Sequence, residues 1–210
     1  QLERVHCAVA SQILERNESE QSLDDLSLTQ NLDRELQKVG RSVPSKWWAI
    51  PHLAPQESST LMQDTRRMYA HVLHFNLLNQ LHLPYLLRPA TPERSYEYSR
   101  ITCVNASREI LNRFIALRSF NGIAYSCRIV DFLALMAAMT LLLAHLAAQC
   151  SPQGNVFAHQ YQSDRAMIEQ VQDNMREGNR LHADAISMRS ADLLHRLLAI
   201  EAPSGDVGTS

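Results

Sequence analysis

Three histidines, His71, His74 and His82, lie on one stretch of the chain, and metal binding is the first chemistry they suggest. His71 and His74 are one helical turn apart. His82 follows His71 by eleven residues, about 16 Å along a helix axis and too far to share an ion. No carboxylate pattern accompanies them, so they read as packed or surface side chains. The cysteines offer no second route to metal or redox chemistry. Cys7, Cys103, Cys127 and Cys150 form no C-x-x-C pair, the spacing that structural zinc and dithiol exchange require. Glu3-Arg-Val-His6 is the only Glu-x-x-His, and a di-iron bundle needs two. There is no glycine-rich phosphate loop, nucleophile elbow or paired-carboxylate signature. Catalysis has no foothold here. The expectation is a non-enzyme with no catalytic and no metal-binding residues.

Two further sets of residues suggest binding. Trp47 and Trp48 sit in a proline-rich stretch, Val43–Pro55, that reads as extended and turn-rich. Adjacent indoles can stack a base or a ligand ring, but in a connector they more often pin the chain to a core. Lys38 and Lys46 are the only lysines, so arginine supplies nearly all the cations. Arg100, Arg108, Arg113 and Arg118 decorate one helix, as a nucleic-acid-facing surface would. Glu97 and Glu109 are interspersed with them, no aromatics alternate with the charges, and the formal net charge is −2. A solvated or ion-paired face is the better reading, with Glu109 and Arg113 as a favourable i,i+4 pair.

These side chains must be positioned by helices. Few glycines and prolines, abundant leucine and alanine, and apolar spacing of three to four residues predict an all-α fold. The expected architecture is a single domain over 1–201, about seven helices packed around a buried central helix at 126–150. Residues 202–210 (APSGDVGTS) carry no apolar pattern and are expected to be disordered. Phe132–Ala144 contains one polar side chain, Thr140, and Asp131, His145 and Gln149 fall near one line of the helix. A helix apolar nearly all round is a buried core element or a membrane span. Reaching about 20 apolar residues would require including Asp131 and His145, so the core reading is preferred and no membrane partner is expected. Leu135, Met139 and Leu142 are its expected buried positions.

Around it, Leu2–Arg16 places Leu2, Val5, Val9 and Ile13 on one side. Ser22 is a candidate cap, with Asp24 and Asp25 in the first turn, for a helix carrying Leu32, Leu36 and Val39 and stopping at Gly40. Thr60–Leu83 is a long helix bearing Tyr69, Leu73, Leu77 and Leu81. Tyr96–Phe120 carries Ile101, Val104, Leu111 and Ile115, widened by Cys103, Ile110, Phe114 and Leu117. Asn121-Gly122 and Ser151–Gly154 read as breaks. A helix from Ser163 with Ile168, Val171 and Met175 should stop at Gly178. Ala183–Ile200 closes the chain with Ile186, Ala191, Leu194 and Leu198 inward.

The order of segments carries a resemblance. LHLPYLLRP (Leu81–Pro89) is followed by YSRITCVNASREILNRFIALRS (Tyr98–Ser119) and CRIVDFLALMAAMTLLLAHL (Cys127–Leu146). Together with VPSKWWAIP (Val43–Pro51), DRAMIEQVQDNM (Asp164–Met175) and SADLLHRLLAIE (Ser190–Glu201), this resembles the regulatory "middle homology" domain of fungal binuclear zinc-cluster transcription factors. The likeness covers about 43–201. It implies a regulatory domain that modulates RNA polymerase II transcription in the nucleus. Its partners would be transcription machinery or co-regulator proteins, and DNA would be met only through a segment absent here. It leaves open a small-molecule effector and a homodimer. Zinc would be confined to a six-cysteine cluster upstream, with no cofactor in this chain. The chain starts at Gln1 rather than Met, so a piece of a longer polypeptide is expected. The matched Arg128 and Asp131, i,i+3 at the start of the central helix, are the candidate regulatory junction. The competing class is a helical ligand-binding protein or enzyme without a transcriptional role.

Overall fold

Apolar residues recurring every three to four positions can be buried only if helices pack on one another, and the chain does this around two cores. The computed structural model describes residues 2–18, 26–51, 58–89, 95–120, 128–149, 157–182 and 185–201. Among these, all regular structure is helical. The α-helices are α1 (Leu2–Asn17), α2 (Leu26–Arg41), α3 (Ser45–Trp48), α4 (Ser58–His82), α5 (Glu97–Phe120), α6 (Arg128–Gln149), α7 (Tyr161–His182) and α8 (Ala185–Glu201). Short 3-10 turns at Leu83–Tyr85 and Ala158–Gln160 follow α4 and precede α7. The all-α architecture is the one expected from composition and periodicity.

The smaller core is built by α1 and α2 against the end of α4. Val9, Ile13, Leu32, Leu36 and Leu81 are its buried members. The larger core joins α4 to α8: Met68, Val72, Val104, Leu111, Phe114, Ala134, Leu141, Val171 and Leu194 are among its sealed side chains. Helix α4, 25 residues long, spans about 37 Å and serves both. Helix α5 packs against α4, α6 and α7, and α6 packs against α4, α5, α7 and α8. An 18-residue stretch of α6 has a mean hydropathy of 2.1, enough by length and composition to cross a membrane, and 61% of it is buried in the fold. Thr140 donates its hydroxyl to the Met136 carbonyl at 2.8 Å, which satisfies the one polar group inside the run.

Several expectations change at the level of single residues. Leu142 is sealed, as expected, but Leu135 and Met139 are only partly buried, and Ile129, Phe132 and Leu143 are exposed. The apolar surround of α6 is therefore not covered on every side. Leu73 and Ile101 also face outward, because the inward side of α4 is made by Met68, His71, Val72 and His74, and that of α5 near Ile101 by Cys103, Val104 and Ser107. Trp47 and Trp48 belong to a single helical turn, where the sequence suggested an extended and turn-rich stretch. Helix α7 runs through Gly178 to His182; with α8 packed along it, one glycine, about 1 kcal/mol poorer than alanine, does not end it. The expected cap at Ser22, the expected first-turn residues Asp24 and Asp25, the breaks at 121–122 and 151–154, the side chain of Ile186, Cys127, Cys150 and the 202–210 tail lie outside the described residues.

Leu142 is 2% exposed and Phe132 is 56% exposed. Urea denaturation should find Leu142→Ala weaker by about 2–5 kcal/mol. Phe132→Ala in the same chain should stay within about 0.5 kcal/mol.

Candidate functional site

Helix α5 must bury one face against three helices, yet it carries Arg100, Arg108, Arg113 and Arg118. Those on the covered side stay charged by pairing with carboxylates, on neighbouring helices or on α5 itself. Arg108 reaches α7, where its Nε and Nη2 donate to the two oxygens of Asp164, both at 2.7 Å. The second oxygen also accepts from His145 Nε2 on α6 at 2.8 Å. Asp164 thus joins three helices at one carboxylate, and it and His145 are each about 2% exposed. Burial alone would raise the Asp164 carboxyl, but the hydrogen bonds from Arg108 and His145 outweigh it and hold the group below its ordinary 3.8.

Two further arginines complete the series. Arg118, in the last turn of α5, pairs with Asp131 in the first turn of α6, and both are buried. Arg113 pairs with Glu109, donates at 3.0 Å to the carbonyl of Trp48, and lies 4.6 Å over the Phe75 ring. The structure therefore favours the ion-paired reading of this face over the solvated one. Of the two proposed junction residues, Asp131 is buried against α5, whereas Arg128 is exposed. The partner of Asp131 across the 121–127 connection, Arg118, is a residue the sequence did not single out for that role.

Above the Arg108–Asp164 pair, α5 and α7 leave a cleft of about 530 Å³. Its walls are the amides of Asn105, Asn112 and Gln160 with Ser163, Glu109 and Met167. Such a lining offers hydrogen-bond donors and acceptors on an already neutralised ion pair, which suits a small polar ligand better than a strongly charged one.

The histidines come together in an unexpected way. His6 of α1 and His74 of α4 share a hydrogen bond at 2.9 Å. Trp48 lies against His71, His74 and Phe75, and Trp47 meets His71 edge-on at 4.4 Å. The Trp48 indole donates to the Gly40 carbonyl at 3.1 Å, so the tryptophan turn is fastened to both α2 and α4. Burial, then the positive charge of Arg113, lowers His71 to about 4; burial, then His6 and Arg113, does the same to His74. His82 stands apart, as the spacing predicted. It contacts Ser99 Oγ at 3.0 Å and Asp33 at a long 3.5 Å. This Ser–His–Asp order superficially resembles a hydrolase triad. His82 and Ser99 are 1% and 6% exposed, and Asp33 is also held by Tyr98 at 2.6 Å and Gln37 at 2.8 Å. Shut away from solvent and tied to one another, these side chains brace α2, α4 and α5. Among the described residues, no three His, Cys, Asp or Glu side chains converge to hold a metal ion.

Comparison with known proteins adds the remaining information. The chain is 58% identical over 206 residues, 97% of its length, to a "Dehydrocurvularin biosynthesis regulator" of Aspergillus terreus. It is 56% identical over 211 residues to a protein of the same description from Alternaria cinerariae, and 41% identical over 197 residues to "Probable transcription factor gsfR1" of Penicillium aethiopicum. The chain spans 28% of the length of each. No family model and no solved structure matches it.

Two measurements check the electrostatics. His71 and His74 bind protons less readily folded than unfolded, so stability should rise with pH across their window and be lost as pH falls from 6.5 towards 4. The depressed carboxyls Asp33 and Asp164 act lower, their contribution disappearing only below about 3.8. Chemical denaturation from pH 7 to 4 should show the histidine slope, and His74→Phe should reduce it. Asp164→Ala leaves Arg108 and His145 without their acceptor and should cost about 3–5 kcal/mol by thermal unfolding.

Proposed function

This chain is homologous over nearly its whole length to one segment of fungal transcription factors and biosynthesis regulators, and we propose that it is the regulatory domain of a pathway-specific factor of this kind. The observation that carries this reading is the identity above one half to two biosynthesis regulators across 97% and 100% of the chain. In this reading the domain works in the nucleus and contacts co-regulators or transcription machinery. DNA is read by a six-cysteine zinc cluster outside these residues, which is where the zinc belongs. The domain alters the output of the DNA-bound protein without defining its site.

Regulation needs two states that an effector or partner binds unequally. The α5–α7 cleft supplies a place for a polar effector, and its floor supplies the coupling. A group that competes for Arg108 or Asp164 changes the hydrogen bond that Asp164 holds to His145 on α6. The Arg118–Asp131 pair ties the other end of α6 to α5. Arg128 and Asp131 together form the junction at which a shift of α6 is passed on. Ion pairs of this sort are made or broken in discrete steps, which suits a switch.

The test is carried out in the complete polypeptide. Removing residues 43–201, or introducing Asp131→Ala, should make target transcription constitutive or abolish it while promoter occupancy keeps the same sequence preference. Chromatin immunoprecipitation and transcript measurement, normalised to protein level, read the two quantities separately. Unchanged regulation in both variants, under the conditions that normally modulate the target genes, would refute the proposal.

A further inference from the structure

Helix α6 buries half of its residues, and what it leaves outside has a regular pattern. Ile129, Phe132 and Leu143 are 59%, 56% and 39% exposed, and Met136, Met139 and Leu146 lie half-buried along the same line. These six positions are spaced 3, 4, 3, 4 and 3 residues apart, all are apolar, and the one acid between them, Asp131, points inward to Arg118. A broad apolar face belongs to a helix buried in a core, whereas a strict 3-4 seam accepts the seam of one further helix. Two methionines at its centre suit it to a helix whose side chains vary in shape.

We propose that this outward seam of α6 is the docking site for an amphipathic helix belonging to the same polypeptide and lying outside residues 1–210. The length of the relatives chooses this occupant. Each of the first three relatives carries most of its length beyond the matched region, since the chain spans only 28% of them. A stable interface between free molecules generally buries roughly 800 Å² per partner. A tethered segment does not need that area, because attachment holds it at an effective concentration in the millimolar range. No charged side chain lies on the seam between Ile129 and Leu146, so the facing positions of the occupant are apolar.

A benzophenone amino acid placed at position 132 of the complete polypeptide, followed by irradiation and peptide mapping, identifies what lies on the seam. The expected product is an intramolecular cross-link to a helical peptide outside residues 1–210. The 210-residue chain alone should sediment as a monomer at tens of micromolar, with Phe132→Glu keeping its helix content. Four results would overturn the proposal. These are a cross-link to a second copy, a dimer that Phe132→Glu dissociates, flotation of the complete polypeptide with phosphatidylcholine vesicles, or no cross-link from a correctly incorporated probe.

Discussion

A carboxylate shut away from water keeps its charge only if cations or donors are fixed around it, and Asp164 illustrates how far this constraint reaches. It is about 2% exposed, receives two bonds from Arg108 and one from His145, and so sets the separation of α5, α6 and α7 at one point. Leucine packing alone tolerates sliding, since one methyl contact resembles the next. A bidentate guanidinium does not, because both of its bonds must meet two oxygens in a plane. Asp131 with Arg118 repeats the device at the start of α6. The apolar cores hold the helices together, and the two buried ion pairs fix the register in which they meet.

The same logic accounts for arginine in place of lysine along α5. Arg113 donates to a main-chain carbonyl, pairs with Glu109 and covers the Phe75 ring, three tasks for one planar group. An ammonium could pair with the acid but would not offer the same flat face to the ring. The cations that look like surface decoration in the sequence are thus largely part of the packing.

Periodicity made the inner residues legible. Val9, Ile13, Leu32, Leu36, Ile168, Val171, Met175, Leu194 and Leu198 were all readable from three-to-four spacing, and all are buried. It failed on α6 because a helical wheel counts apolar residues without knowing how many neighbours are present to cover them. Leu73 and Ile101 went astray for a related reason: histidine and cysteine can fill a core as well as leucine, and a hydrophobic pattern does not weight them so. The ion pairs were half visible. Asp131 and His145 on one line of an otherwise apolar helix signalled that polar partners had to exist. Which arginine served Asp131, and that one carboxylate on α7 would serve both His145 and Arg108, depended on the approach of helices far apart in the chain.

The tryptophan turn has one more consequence. Both tryptophans of the chain lie in α3, within 5.1 Å of His71 between ring centroids. Imidazolium quenches indole emission more strongly than neutral imidazole, and excitation at the red edge of the absorption band selects the indoles over the six tyrosines. The protein's intrinsic light therefore originates at the corner where α2, α3 and α4 meet, while its circular dichroism arises from every helix. An emission trace and an ellipticity trace taken on one sample accordingly view different regions. Any gap between them measures how independently that corner opens from the helices behind it.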